Sequence, residues 1–194
     1  MKKTLTLAAL LALTSLYSKA QNAVTISTDV PSIHYGGFSF EGGFNHNRNR
    51  FSLSLDQLKL PSYINPDFDS IQAFRKGLNL KVSRFLNDDQ TGLHYGMSTG
   101  YVLGEKLSPL DTNGNLITAI PSISQSYITV GIQAGYFYHP FKNSTKMKGL
   151  FIEPNIGLTY AVGKDDLLLG SKIIAKKPLA IAPPRINIGW KIEL

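Results

Sequence analysis

Chemistry needs titratable or nucleophilic side chains held close together, and this sequence offers few such sets. Four histidines, His34, His46, His94 and His139, are the natural general-base candidates. His94 and Ser98 share a face if the chain between them is extended. Four residues of strand, however, separate them by ~13 Å, too far for a nucleophile–base pair. His34 and His139 fall near strand ends and His46 in a short turn. Cysteine is absent, which excludes disulfide frameworks, thiolate metal sites and thiol catalysis together. No phosphate-binding loop, paired-histidine metal motif or nucleophile elbow occurs. Asp111-Thr-Asn-Gly114 begins like a calcium loop, but its glycine comes too early and no glutamate follows at the right distance, so it reads as a turn. The residue types predict neither a catalytic site nor a cofactor.

A second set is more informative because of where it falls. Glu41, Asp56, Arg75, Lys81, Glu153, Arg185, Lys191 and Glu193, four of each sign, share a parity with small and hydrogen-bonding residues. The elements that must carry them are strands, since side chains two apart along a strand point to the same face. The clearest runs over 126–138. There Ile128, Val130, Ile132, Ala134, Tyr136 and Tyr138 alternate with Tyr127, Thr129, Gly131, Gln133, Gly135 and Phe137. The same pattern recurs at 93–103, 150–162, 186–194, 51–56 and 74–83, and more weakly at 23–30 and 33–44, which predicts eight strands. Most have the ~9–11 residues that a tilted strand needs to cross a bilayer. The face opposite the apolar one carries Gly77, Gly96, Gly100, Gly131, Gly135, Gly157 and Gly189 with Ser, Thr, Asn and Gln between them. Such a face suits the interior of a narrow barrel, and its mixed charges suit a paired network filling it. Tyr95, Tyr101, Tyr136, Tyr138, Tyr160 and Trp190 fall on the apolar parity as candidates for interfacial girdles. Lys76 and Arg84 share that parity, flank the apolar run 78–82 and reach headgroups by snorkelling.

The first twenty residues stand outside this pattern. Lys2 and Lys3, an apolar run over 5–17 and the small residues Ser18 and Ala20 make the grammar of a secretory signal peptide cut after Ala20. The mature domain is then 21–194. Loss of Lys2, Lys3 and Lys19 leaves 17 basic against 13 acidic residues, a formal +4 in place of +7. That charge is too diffuse to predict a nucleic-acid partner. Connections at 45–49, 87–92 and 139–148 are short, whereas those at 59–72, 104–121 and 163–184 are long, the asymmetry expected of outer-membrane barrels. Only Pro31 and Ser32 separate the first two strands. Pro154 removes a ladder hydrogen bond, for which a bulge is one answer. The apolar stretch 163–184 reads as an extension of the flanking strands or an extra hairpin.

With these features the chain resembles the small outer-membrane β-barrel superfamily typified by the OmpA transmembrane domain and OmpX. The likeness covers 21–194 and rests on the leader, the eight amphipathic strands and the terminal strand. Gly189, Trp190, Ile192 and Leu194 match the assembly signal of such barrels, with Leu194 where an aromatic residue is usual. The resemblance implies an all-β, eight-stranded antiparallel up-and-down transmembrane barrel in the bacterial outer membrane, surrounded by its lipid and inserted by the barrel-assembly machinery. It leaves activity open. A non-enzymatic barrel acting structurally, or on an extracellular partner through 104–121 and 163–184, is the first expectation. A narrow porin-like channel, a soluble lipocalin-like carrier and a lipid-modifying enzyme are the others.

Overall fold

The computed structural model describes residues 22–34, 36–60, 71–111, 113, 115, 117–169, 172–174 and 178–194; the signal peptide expected over 1–20 lies outside them. Eight strands form the wall: β1 (Asn22–Asp29), β2 (Phe38–His46), β3 (Asn49–Leu60), β4 (Ile71–Phe85), β5 (Gly92–Pro109), β6 (Ile123–Phe137), β7 (Leu150–Val162) and β10 (Leu179–Glu193). All neighbours are antiparallel, in the closed order β1-β10-β7-β6-β5-β4-β3-β2. A small hairpin, β8 (Leu167–Leu169) with β9 (Lys172–Ile174), is set into the connection before the last strand. The wall is therefore an up-and-down meander whose last strand returns to the first. Ala23 pairs with Glu193, so β1 begins at the end where β10 finishes. That end carries the connections 47–48, 86–91 and 138–149 and is called the turn end; β1, β3, β5 and β7 finish at the opposite, loop end.

Alternation decides which way each strand faces. On β6, Tyr127 and Phe137 are buried while Ile128, Val130, Ile132 and Tyr136 are exposed. On β3 the buried residues are Ser52, Ser54 and Asp56, and the exposed ones Phe51, Leu53 and Leu55. The period-two reading thus holds in the wall. The first strand is real, and it closes the barrel by pairing with both β2 and β10.

Several boundaries differ from the sequence reading, each for a local reason. The second strand begins at Phe38, not residue 33, because Val30–His34 form a short helix, α1. Asp29 caps it, accepting from Ser32 N at 3.3 Å, and Gly36, at φ 73°, ends it while donating from its N–H to the Ile33 carbonyl. On β5, Val102 pairs with Tyr127 but Glu105 with Gln125, so one extra residue sits in β5. That bulge switches the inward parity from even to odd numbers, and β5 continues to Pro109 where alternation had suggested a loop from 104. A second bulge lies between Ala182 and Arg185 and holds Pro183 and Pro184, which have no N–H to give to a ladder. The stretch 163–184 is thus both an extra hairpin and an extension of β10. Pro154 causes no bulge. Gly135↔Asn155 and Tyr138↔Ile152 keep one register and the ladder toward β6 lapses between them, while Pro154 stays paired with Ile186 on β10.

The wall is uneven in height. β5 has 18 residues and β1 only 8. The taller β4–β6 side carries a small apolar core of Ala73 and Leu107 with Ile120, Ile123 and Leu167 at the loop end.

Candidate functional site

Among the described residues the interior gathers charged groups in two layers. At the turn end, Arg50 lies on β3 and Glu153 on β7, both facing inward. Arg50 donates from Nη1 to Glu153 Oε2 at 3.2 Å and from its other amino group to Oε1. Their exposures of 2% and 1% place this pair out of reach of bulk water. His94 Nε2 lies 2.8 Å from Glu153 Oε1, near enough for an ion pair although not aligned for a hydrogen bond. Asn187 Nδ2 approaches the other carboxylate oxygen at 3.4 Å. Beside this set Lys81 on β4 pairs with Glu41 on β2. Burying either charge alone would be costly, so opposite charges meet across the barrel.

Aromatic rings close the same end. Phe137 and Phe151 stack at 4.2 Å between centroids, and Phe85 meets Phe137 edge-on at 5.6 Å. The Arg50 guanidinium carbon stands 5.6 Å and 5.4 Å from the Phe85 and Phe137 ring centroids. Two glycines make room for these groups. A Cβ on Gly135 would come within 2.6 Å of His94 Nε2, and one on Gly189 within 2.2 Å of Ile26 O and 2.7 Å of Phe151 Cζ. Below the rings, the turn 86–91 tucks Gln90 inward, fully buried at φ 58°. Its Nε2 donates to Asn47 O at 2.6 Å, and its Oε1 accepts from Asn45 Nδ2 at 3.2 Å.

The loop-end layer is looser. Asp56 accepts from Asn79 Nδ2 at 2.9 Å and from Arg185 Nη2 at 3.4 Å. Glu105 receives Tyr127 Oη and Gln125 Nε2, both at 3.2 Å, with Lys164 Nζ at 3.1 Å. Arg75, half-buried, pairs in the ladder with Glu105. Between the layers, Ser52 and Ser54 are buried with hydroxyls that find no hydrogen-bond partner among the described residues.

Of the eight charges expected inside, the structure joins Glu41 to Lys81 and Asp56 to Arg185, and places Glu153 at the centre of the turn-end set. Lys191 is buried and its Nζ donates to Asp89 O at 3.3 Å. Glu193 does not join them: it belongs to the last wall pair, Ala23↔Glu193, and is exposed at the rim. Arg50 and Glu105 were missed. Arg50 has the parity of Ser52 and Asp56 and was legible from it, had the strand been begun one residue earlier; the β5 bulge hid Glu105. Of the assembly-signal residues, Gly189 faces inward, while Trp190, Ile192 and Leu194 are exposed.

At the turns outside the wall, Arg48 and Asp88 form an exposed pair, which lowers the Asp88 carboxyl and raises the Arg48 guanidinium. Partial burial, with the nearby Lys191 ammonium, pushes the His139 imidazole below its ordinary 6.5. Among the described residues no group of three or more His, Cys, Asp or Glu side chains could hold a metal ion. His94 is buried in the interior against Glu153.

A solved structure shares this architecture. The N-terminal β-barrel domain of Pseudomonas aeruginosa OprF is 12% identical, with a TM-score of 0.51 over 90% of this chain and 100% of that one. This chain has that barrel fold. Neisserial surface protein A is 13% identical, with a TM-score of 0.43 over 90% and 96% of the two chains. No protein-family model matches the sequence, and no curated relative does. At these identities the likeness is one of fold.

Proposed function

We propose that the mature chain spans a bacterial outer membrane as a non-enzymatic β-barrel with a plugged polar lumen, after export by the cleaved leader 1–20. It acts structurally or through the loop-end segments 104–121 and 163–184 on an extracellular partner. The observation that carries this reading is the inverted distribution of polarity. Arg50, Glu153, Lys81 and Glu41 are buried inside, while Phe40, Leu53, Leu80, Met97, Ile132, Leu158 and Ile188 face outward. Water rewards the opposite arrangement; a hydrocarbon surround rewards this one, and closure leaves no strand edge unpaired. The resemblance of the terminal strand to an assembly signal agrees with it. The same polarity speaks against a soluble apolar-lined carrier, whose inward parity would be the apolar one. Fractionation of expressing cells tests it: the account expects recovery with outer membranes after alkaline extraction, and release as a soluble periplasmic protein would refute it.

A narrow channel is the second reading. It is favoured by Ser52 and Ser54, whose hydroxyls need water partners between the two charged layers. The ring cluster and Gln90 oppose through-flow at the turn end. Purified protein in planar bilayers separates the two, with silence expected of a plugged lumen and steady conductance of a channel.

A further inference from the structure

The outer wall is not uniformly convex. A groove of about 760 Å³ runs across β4, β5, β6, β7 and β10, from Arg84 on β4 and the neighbouring Asn49 at the start of β3, near the turn end, to Ile181 on β10. Its floor follows from register. Arg84 pairs with Tyr95, Tyr95 with Ala134 and Ala134 with Ile156, so one small side chain sits between a tyrosine and an isoleucine. Along β6 its outward neighbours Ile132 and Tyr136 are also large and exposed, which leaves Ala134 as a dent.

We propose that this groove is a binding site for one glycerophospholipid of the turn-side leaflet, its acyl chain lying over Ala134 and its phosphate held by Arg84. The inference rests on the membrane reading above and adds a specific ligand position to it. Two arguments select this occupant. The first is charge. Arg84 is an exposed cation at the polar end of an otherwise apolar groove, and among the described residues no acidic side chain pairs with it, while Arg48, Arg50 and Arg185 each have a carboxylate. A guanidinium fits a phosphate with two parallel hydrogen bonds. The second is length. From Arg84 on β4 to Ile181 on β10, five strands at ~4.8 Å spacing give a path of ~19 Å, and a strand tilt of ~45° makes it rise ~14 Å along the normal, close to half of a ~30 Å hydrocarbon core. The path begins at the turn end and climbs with the tilt, so it matches a chain hanging from one leaflet.

The test uses the full mature chain refolded in detergent, with dioleoyl-phosphatidylglycerol as the probe and native mass spectrometry as the readout. Ala134→Phe fills the dent at an exposed position and Arg84→Gln removes the phosphate partner; both are first checked for a heat-modifiable folded band. The wild type is expected to retain one lipid, and each variant to lower its apparent affinity by about tenfold. Equal lipid retention by all three folded proteins would overturn the site while leaving the membrane reading intact. A wild-type dimer dissolved by Ala134→Phe would also overturn it, by showing that a second copy covers the groove. A wild type that never forms a heat-modifiable barrel would sink the membrane reading, and this inference with it.

Discussion

The two ends of the barrel solve the same problem in different ways. Both bury acidic side chains, yet the turn end packs the partner cation under rings and the loop end leaves Arg185 and Lys164 partly open to solvent. Arg50 and Glu153 have side-chain exposures of 3% and 1%, and the guanidinium is gripped by a bidentate contact and two phenyl faces. Arg185 is 16% exposed and meets Asp56 by a single long contact of 3.4 Å. On the proposed reading of a plugged lumen, the difference assigns closure to the turn end. A buried pair under aromatic cover is costly to break but contributes little net stability against an apolar replacement, so its value lies in closure and in fixing strand positions. The looser layer keeps its cations nearer solvent, as a vestibule does.

Single substitutions sharpen the contrast. Arg50→Ala leaves the Glu153 carboxylate buried without its main partner and should destabilise the refolded barrel by about 3–5 kcal/mol, read from urea unfolding in lipid. Restoration by a second change, Glu153→Leu, would identify the unpaired charge as the cause. Next comes Gly189→Ala, whose methyl would collide with the Ile26 carbonyl and the Phe151 ring. A loss of about 1–3 kcal/mol is expected in the same assay, with slower closure of the β1–β10 seam. The counterpart at the loop end is smaller: Asp56→Ala should cost about 1 kcal/mol, because one long contact and one hydrogen bond from Asn79 are lost while the partner cation Arg185, itself partly open to solvent, can be rehydrated. If Asp56→Ala proved as damaging as Arg50→Ala, the contrast between the ends would be wrong.

The smallest effect is a pH dependence at the turn end. His139 titrates below 6.5 in the folded protein, so the unfolded chain takes up the proton first. Stability from the neutral imidazole is therefore complete above the unfolded value and is lost as pH falls through the folded one. Unfolding midpoints compared between about pH 7.5 and pH 5 should fall less for His139→Asn than for the wild type. Equal slopes would show that His139 carries no linked proton.

The wall was legible because period-two alternation survives wherever strands are regular. At 126–138 and 150–162 the sequence pattern and the burial agree residue for residue in parity. It failed where one residue was inserted. The bulges in β5 and at Pro183–Pro184 flip the parity, so Glu105 and the start of β10 looked like loop. The first hairpin failed for another reason, since Asp29, Pro31 and Gly36 encode a helical turn that period-two reading does not recognise. Pairing across the lumen was not legible at all. Glu41 and Lys81 are 40 residues apart and Arg50 and Glu153 are 103 apart, and neither separation is marked in the local sequence.

Trp190 offers the most direct test of the central claim, that the outward face is clothed in lipid. It is the chain's single tryptophan and lies exposed on the outer face of β10. Its fluorescence in the refolded protein should be quenched strongly by phospholipids brominated in their acyl chains and only weakly by acrylamide in the aqueous phase. Strong acrylamide quenching, with no response to brominated lipid, would put that face in water and contradict the account.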